Sequence, residues 1–187
     1  VSRLPKAASA QKCSLVNYIL AAYFALLYRL TGNEDIVVGL PVAGQAALNQ
    51  LTMVGHMVQL LPIRIHLDGD TTFSNLVAAV KREVLNASEH PNFTFGQLLE
   101  NVSVERSRVP LISTIFNIDQ PMPLLDFGSA SASVASVPRA AENFEIFLNI
   151  MPSADDLVVE ATYSSALFSE DTMVSWMRSL EAILQSA

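Results

Sequence analysis

The sequence predicts an α/β fold, a mixed β-sheet with helices packed on it. Three observations lead there. Apolar residues recur at helical spacing between Ser14 and Gly32. β-Branched and apolar runs occupy 36–40, 56–67 and 111–119. Two further runs, 144–151 and 157–164, face each other across a polar turn as a hairpin would. The implied order is helix, two strands, two helices, at least three strands and a closing helix, with no internal repeat.

Residues 1–12 carry no clear period and are expected to be irregular. Ser14 then reads as an N-cap for a helix in which Leu15, Ile19, Ala22, Tyr23, Leu26 and Leu30 share a face, with Gly32 as the stop after Thr31. Asn33 to Asp35 is a turn, and Ile36 to Leu40 is apolar on both faces, the pattern of a buried strand. Residues 43–54 read as a loop with room for a short helical turn. His56 to Leu67 is the longest strand candidate, with Met57, Leu61, Ile63, Ile65 and Leu67 on one face and Pro62 marking an edge or a bulge.

A helix over Phe73 to Ser88 follows the turn at Gly69, with Phe73, Leu76, Val80 and Val84 on one side. The next helix begins at Thr94, where Thr94 and Gln97 form a capping-box pattern and Phe93 is placed to staple onto Leu98. Leu111 to Asp119 is a strand. Residues 120–142 differ: Gln-Pro-Met-Pro, then a Ser/Ala run whose small side chains specify register weakly. After the hairpin, Ser169 caps a last helix to about Gln185, with Met173, Met177, Leu180 and Leu184 facing inward.

Composition narrows the function. Apolar residues make up 51% and charged residues 16%, below the usual charged share of about a quarter. Either the core is large or part of the apolar surface meets a partner. A net charge of −7 argues against nucleic acid, because phosphate binding needs a basic face. Bases lead in 1–31 and acids dominate from Arg139 onward, a distribution that reads as solvated surface. Cys13 is the one cysteine, so no intrachain disulfide forms. The N-x-S/T triplets at Asn86, Asn92 and Asn101 then read as chance matches, and a reducing, cytoplasmic setting fits. The apolar stretch Leu15 to Leu27 is interrupted by Asn17 and too short for a bilayer. A start at Val1 rather than Met reads as a piece of a longer chain.

Candidate chemistry is sparse. Cys13 sits at a helix start, which favours a thiolate, yet its neighbours read as packing. His66 and His90 have no companion at metal-ligand spacing. His56, after Gly55 at a strand start, reads as a structural or lining histidine rather than a general base. Gly39, Gly44 and Gly55 form no phosphate loop. Asp155-Asp156 reads as a solvated hairpin tip, and Arg106 and Arg108, flanking Ser107, read as structural. No complete active site is legible from these residues alone.

Four blocks in order resemble a known family. "LVNYILAAYFALLYRLTGNEDIVVGLPVAG", from Leu15 to Gly44, looks like the helix, Thr-Gly turn and "VG-P-AGR" strand of condensation domains of nonribosomal peptide synthetases, with Gln45 where arginine is usual. "VGHMVQLLPIRI", Val54 to Ile65, is similar to the family's "IGxFVNTLPLR". Gly55, Val58, Leu61, Pro62 and Arg64 match, and Gln59 replaces the common Asn. "HPNFTFGQLLENV", His90 to Val102, resembles "HQDYPFEKLVEEL". "ERSRVPLISTIFNID", Glu105 to Asp119, resembles "RDxSRNPLFQVMFNLQ". The ending "YSSALFSEDTMVSWMRSLEAIL" looks like the family's closing strand and helix. The match covers nearly the whole chain and places residues 1–187 as the carboxy-terminal subdomain.

The resemblance implies a chloramphenicol acetyltransferase-like lobe, one of two flanking a tunnel that carrier-protein-bound substrates enter from opposite faces. The HHxxxDG motif belongs to the amino-terminal lobe and is absent here, so no catalytic residue and no metal ligand is expected in this chain, and the fragment alone is expected to be inactive. By resemblance, Gly55, His56, Gln59 and Asn117 line the tunnel or position substrate, and Arg106, Ser107 and Arg108 brace the fold. Residues 43–54 correspond to the floor loop and 120–142 to the latch that crosses to the other lobe. The implied partners are that lobe and the upstream and downstream peptidyl carrier proteins. No cofactor is bound directly; the phosphopantetheine arms of the carriers deliver the substrates. Neither nucleic acid nor membrane is implied. Alternatives of the same fold are a heterocyclisation, epimerisation or ester-forming lobe, and a different class is a non-catalytic carrier-docking module.

The latch assignment predicts that, in a monomer lacking the partner lobe, backbone amides of 120–142 exchange with solvent without protection. Protection of that segment in hydrogen exchange overturns the assignment.

Overall fold

The structure, a computed structural model, describes residues 3–44, 52–90, 94–102, 111–119, 127–130, 137, 141–152 and 157–187. Its centre is α2, Leu15–Thr31, capped by the Ser14 hydroxyl accepting from the Asn17 N–H and stopped by Gly32 in the left-handed region, φ +68°. Tyr18, Ile19, Leu20, Ala21, Ala22, Tyr23 and Phe24 are buried in succession, so α2 is covered all round. No described helix is by itself long and apolar enough to cross a membrane.

Among the described residues the sheet has five strands in the order β2-β1-β3-β4-β5. They are β1 Asp35–Ala43, β2 Val58–His66, β3 Thr114–Ile118, β4 Ile146–Pro152 and β5 Leu157–Tyr163. β1 and β2 are antiparallel, β1, β3 and β4 run parallel, and β5 returns antiparallel to β4. Pro62 is tolerated because β2 is an edge strand. Among the described residues, three further helices pack around α2: α1, Leu4–Ala10, α3, Phe73–Ser88, and α5, Glu170–Ser186. Helix α4, Phe95–Asn101, lies along β2 and carries the full Thr94–Gln97 capping box.

Alternation along the strands sorts the two faces. Register pairs Ile36 with Ile65, Val38 with Ile63 and Leu40 with Leu61. These residues join Phe116, Leu148 and Ile150 in one core with α2, with Leu76 and Val80 of α3 and with Leu180 and Ile183 of α5. Each large side chain so buried stabilises by about 1.5–3 kcal/mol. The other face carries Val37, Arg64, Ile115, Asn117, Phe147, Asn149 and Glu160. Gly39 lets that face close up, since a Cβ there would stand 2.5 Å from Ile115 Cδ1.

Most boundaries agree with the sequence reading, and the exceptions have causes. Residues 1–12 are not irregular, because α1 occupies Leu4–Ala10. Pro5 sits in its first turn, where no N–H is needed, Ala7, Ala8 and Ala10 favour helix, and Ala8 is buried in the core. So short a helix holds only through packing, and an Ala/Ser/Lys mixture shows no apolar stripe to reveal it. The long strand begins at Val58 rather than His56, and the third strand narrows from 111–119 to Thr114–Ile118, with Leu111 at φ +66°. Phe93, the Asp155-Asp156 tip and most of 43–54 and 120–142 lie outside the described residues.

Among the described residues, a buried polar pair joins the layers. The hydroxyls of Tyr23 on α2 and Thr114 on β3 are hydrogen-bonded, and both residues are buried. Burial pushes the Tyr23 phenol up to about 12, and the bond to Thr114 opposes part of that rise. Tyr23→Phe is expected to cost about 1–3 kcal/mol in urea unfolding, because it strands the Thr114 hydroxyl. Adding Thr114→Val is expected to recover much of that loss, and a double mutant as unstable as the sum of the two single changes refutes the pairing. The folded phenol holds its proton after the unfolded one has lost it. Wild-type stability is therefore full below pH 10 and falls as pH rises through about 12, whereas Tyr23→Phe lacks that alkaline component.

Candidate functional site

Parallel pairing of β3 and β4 puts Asn117 and Asn149 at the same level. Their sequence neighbours Phe116, Ile118, Leu148 and Ile150 belong to the helix-covered core, so both amides stand on the opposite face. Asp119 follows β3 and stays in line, its N–H donating to Ile150 O at 2.8 Å. The three side chains close a hydrogen-bonded ring. Asn117 Nδ2 donates to Asp119 Oδ1 at 3.0 Å and to Asn149 Oδ1 at 2.7 Å, and Asn149 Nδ2 donates to Asp119 Oδ2 at 2.9 Å. A carboxylate only accepts, so both amides must turn nitrogen toward Asp119. Glu160 of β5, the register partner of Asn149, continues the row.

The structure places the other candidate residues elsewhere. Gly55 and His56 are exposed ahead of β2. Gln59 pairs with Val42, whose side chain packs on the core, so Gln59 belongs to the helix-covered face and does not share a surface with Asn117. It lies instead beside Gly44, whose N–H donates to Met57 O at 2.8 Å. Arg106, Ser107 and Arg108 fall outside the described residues. Arg64 makes an exposed two-pronged pair with Asp35, at 2.8 and 2.6 Å, which holds the Asp35 carboxyl below its ordinary value. The Cys13 thiol is pushed up by burial, with Lys81 opposing, and donates to Ala8 O, so the helix start does not make it a thiolate.

Sequence reading named Asn117 and missed Asn149 and Asp119. A signal existed. Asn149 is the polar residue inside the apolar run Ile146 to Met151, and Asp119 stands two residues after Asn117, on the same face of an extended chain. What brings the three together is strand order. A cleft of about 1130 Å³ lies between α1, β5 and α5, lined by apolar residues such as Leu157, Val159, Met173, Met177 and Leu184. None of the ring residues lines it.

The whole chain, residues 1–187, matches the Condensation domain family. It is 31% identical to tyrocidine synthase 3 of Brevibacillus parabrevis over 188 residues, covering 99% of this chain and 3% of that protein. It is 34% identical to bacitracin synthase 1 of Bacillus licheniformis over 173 residues, covering 90% of this chain and 3% of that protein. Among solved structures, the condensation domain from the monacolin K polyketide synthase MokA superposes with a TM-score of 0.82 at 25% identity, covering 97% of this chain and 43% of that one. A four-domain nonribosomal peptide synthetase bound to AMP and glycine superposes with a TM-score of 0.89 at 21% identity, over 99% of this chain and 15% of that one, a likeness of fold.

Two glycines of the matched blocks are expected to respond differently. A Cβ on Gly44 would stand 2.5 Å from the Met57 backbone oxygen, whereas one on Gly55 meets nothing within 4 Å. Gly44→Ala is expected to destabilise by about 1–3 kcal/mol and Gly55→Ala by less than about 0.5 kcal/mol, measured by thermal unfolding. Equal losses at the two positions contradict this geometry.

Proposed function

The chain belongs to the condensation domain family, and from that premise we propose that it is the carboxy-terminal lobe of a domain that forms peptide bonds between a carrier-bound donor thioester and a carrier-bound aminoacyl acceptor. The observation that carries this reading is the Asn117–Asn149–Asp119 ring on the sheet face opposite the helix-packed core. It is a preorganised polar surface on a rigid sheet, where a partner lobe and a substrate channel would lie.

In this scheme the acceptor amine attacks the donor carbonyl. The C–N bond forms, the C–S bond breaks, and the proton lost by nitrogen ends on the departing pantetheine thiol. The chain has histidines at 56, 66 and 90 only, and no two are adjacent. By the resemblance to the family, the histidine pair of its HHxxxDG motif belongs to the amino-terminal lobe. The contribution of this chain is to hold reactants, and positioning alone supplies a large part of such an acceleration. Asn117 is the substrate-facing residue of this lobe, Gly55 and His56 belong to the loop wall before β2, and Gln59 lies beside Gly44. The partners are the amino-terminal lobe and the two flanking peptidyl carrier proteins, whose phosphopantetheine arms bring the substrates, in a cytoplasmic setting.

The test is a condensation assay with the intact two-lobe domain and two loaded carrier proteins. Dipeptidyl product on the acceptor carrier is expected, with none from residues 1–187 alone. Failure of every donor–acceptor pair with the intact domain overturns the reading in favour of a carrier-docking module. Product from the lone chain overturns the division of labour between lobes.

A further inference from the structure

The ring on β3 and β4 uses its hydrogen-bonding capacity unevenly. Both N–H groups of the Asn117 amide are taken, one by Asp119 and one by Asn149. Its carbonyl oxygen therefore points away from the ring, and among the described residues nothing donates to it. Asn149 has one N–H left over, and Asp119 retains unused lone pairs on both oxygens. Among the described residues Asp119 has no cationic partner. The surface thus offers several acceptors and a single donor. It complements a group rich in N–H, and an amine fits better than a carbonyl or a carboxylate.

We propose that Asp119 and Asn149 are positioning residues that lock the Asn117 amide, so that Asn117 Oδ1, with the free side of Asp119, receives the N–H groups of the acceptor α-amine. This deepens the peptide-forming reading and rests on it. The lock is electrostatic: an unpaired amide flips readily, but here reversal would set a carbonyl against a carboxylate. A neutral amine that gives both N–H groups to this surface has its lone pair turned away from the sheet, toward the thioester carbonyl it attacks. Asn117 touches the substrate, whereas Asp119 acts largely through it.

The partners of the lock can be exchanged. Asp119→Asn puts an N–H opposite Asn149 Nδ2, two donors face each other, and one amide must turn. Asn149→Asp made in addition returns a carboxylate to the ring from β4, and every ring hydrogen bond again has a donor and an acceptor. In the intact two-lobe domain, Asp119→Asn is expected to raise KM for the aminoacyl acceptor about tenfold, the loss of roughly one hydrogen bond, with KM for the donor thioester unchanged. The double exchange is expected to return acceptor KM to within a factor of about two of wild type. Asn149→Ala, a second single variant, is expected to raise acceptor KM in the same direction, and thermal unfolding identifies the variants that are folded.

Equal effects on donor and acceptor KM, or a folded double exchange no better than Asp119→Asn, overturn the inference. Wild type without product sinks the peptide-forming reading itself. Wild type with product and an unaltered acceptor KM in the folded single variants sinks only the positioning role.

Discussion

Helix α2 carries apolar side chains on every side, and α1, α3, α5 and one face of the sheet are arranged around it because that placement keeps those side chains from water. A helix of this kind leaves little freedom to its neighbours. The sheet must present a continuous apolar surface, which the Ile36, Val38 and Leu40 row and its partners in β2 provide. The buried hydroxyl pair of Tyr23 and Thr114 then ties the helix to β3 at one place. Its role is directional: hydrophobic burial is indifferent to small rotations of α2, whereas a stranded hydroxyl is not.

Because α2 claims one side of the sheet, the other side is available for chemistry. Each core residue in β3 and β4 obliges its neighbour to face away, so the polar ring is a by-product of the same alternation that builds the core. Parallel pairing of β3 and β4 gives the ring its geometry. Their register sets Asn117 level with Asn149, and the residue after β3, Asp119, still follows the ladder through its bond to Ile150. Rigidity at the ring is inherited from Phe116, Leu148 and Ile150 on the far side of the same strands. The sheet also explains why Gln59 and Asn117, both in blocks that resemble the family, do not meet: they occupy opposite parities relative to the core.

Much of this was legible without coordinates. Ser14, Thr94 and Ser169 each cap a helix through a local side-chain-to-backbone bond, and local bonds are written in local sequence. Gly32 ends α2 because a left-handed residue is needed there. The hairpin of β4 and β5 follows from two alternating runs and a short polar connection. Helix α1 was not legible, since Ala8 becomes a core residue only when α2 is present to pack against. Asp119 and Asn149 left only a local trace: a polar break within an apolar run and an i, i+2 spacing after Asn117 do not by themselves show that the three side chains meet.

Apart from α1, the sequence by itself determined which segments are helix and strand, which face of each is apolar, and the family to which the chain's motifs point. These are properties of periods and caps, set by neighbours a few residues away. Tertiary structure alone decided that Asn117 joins Asn149, 32 residues distant, and that Gln59 is turned from them both. The physical reason is that a functional surface on a sheet is assembled across strands. Its composition depends on strand order and register, and those are fixed by the shared burial of the core beneath.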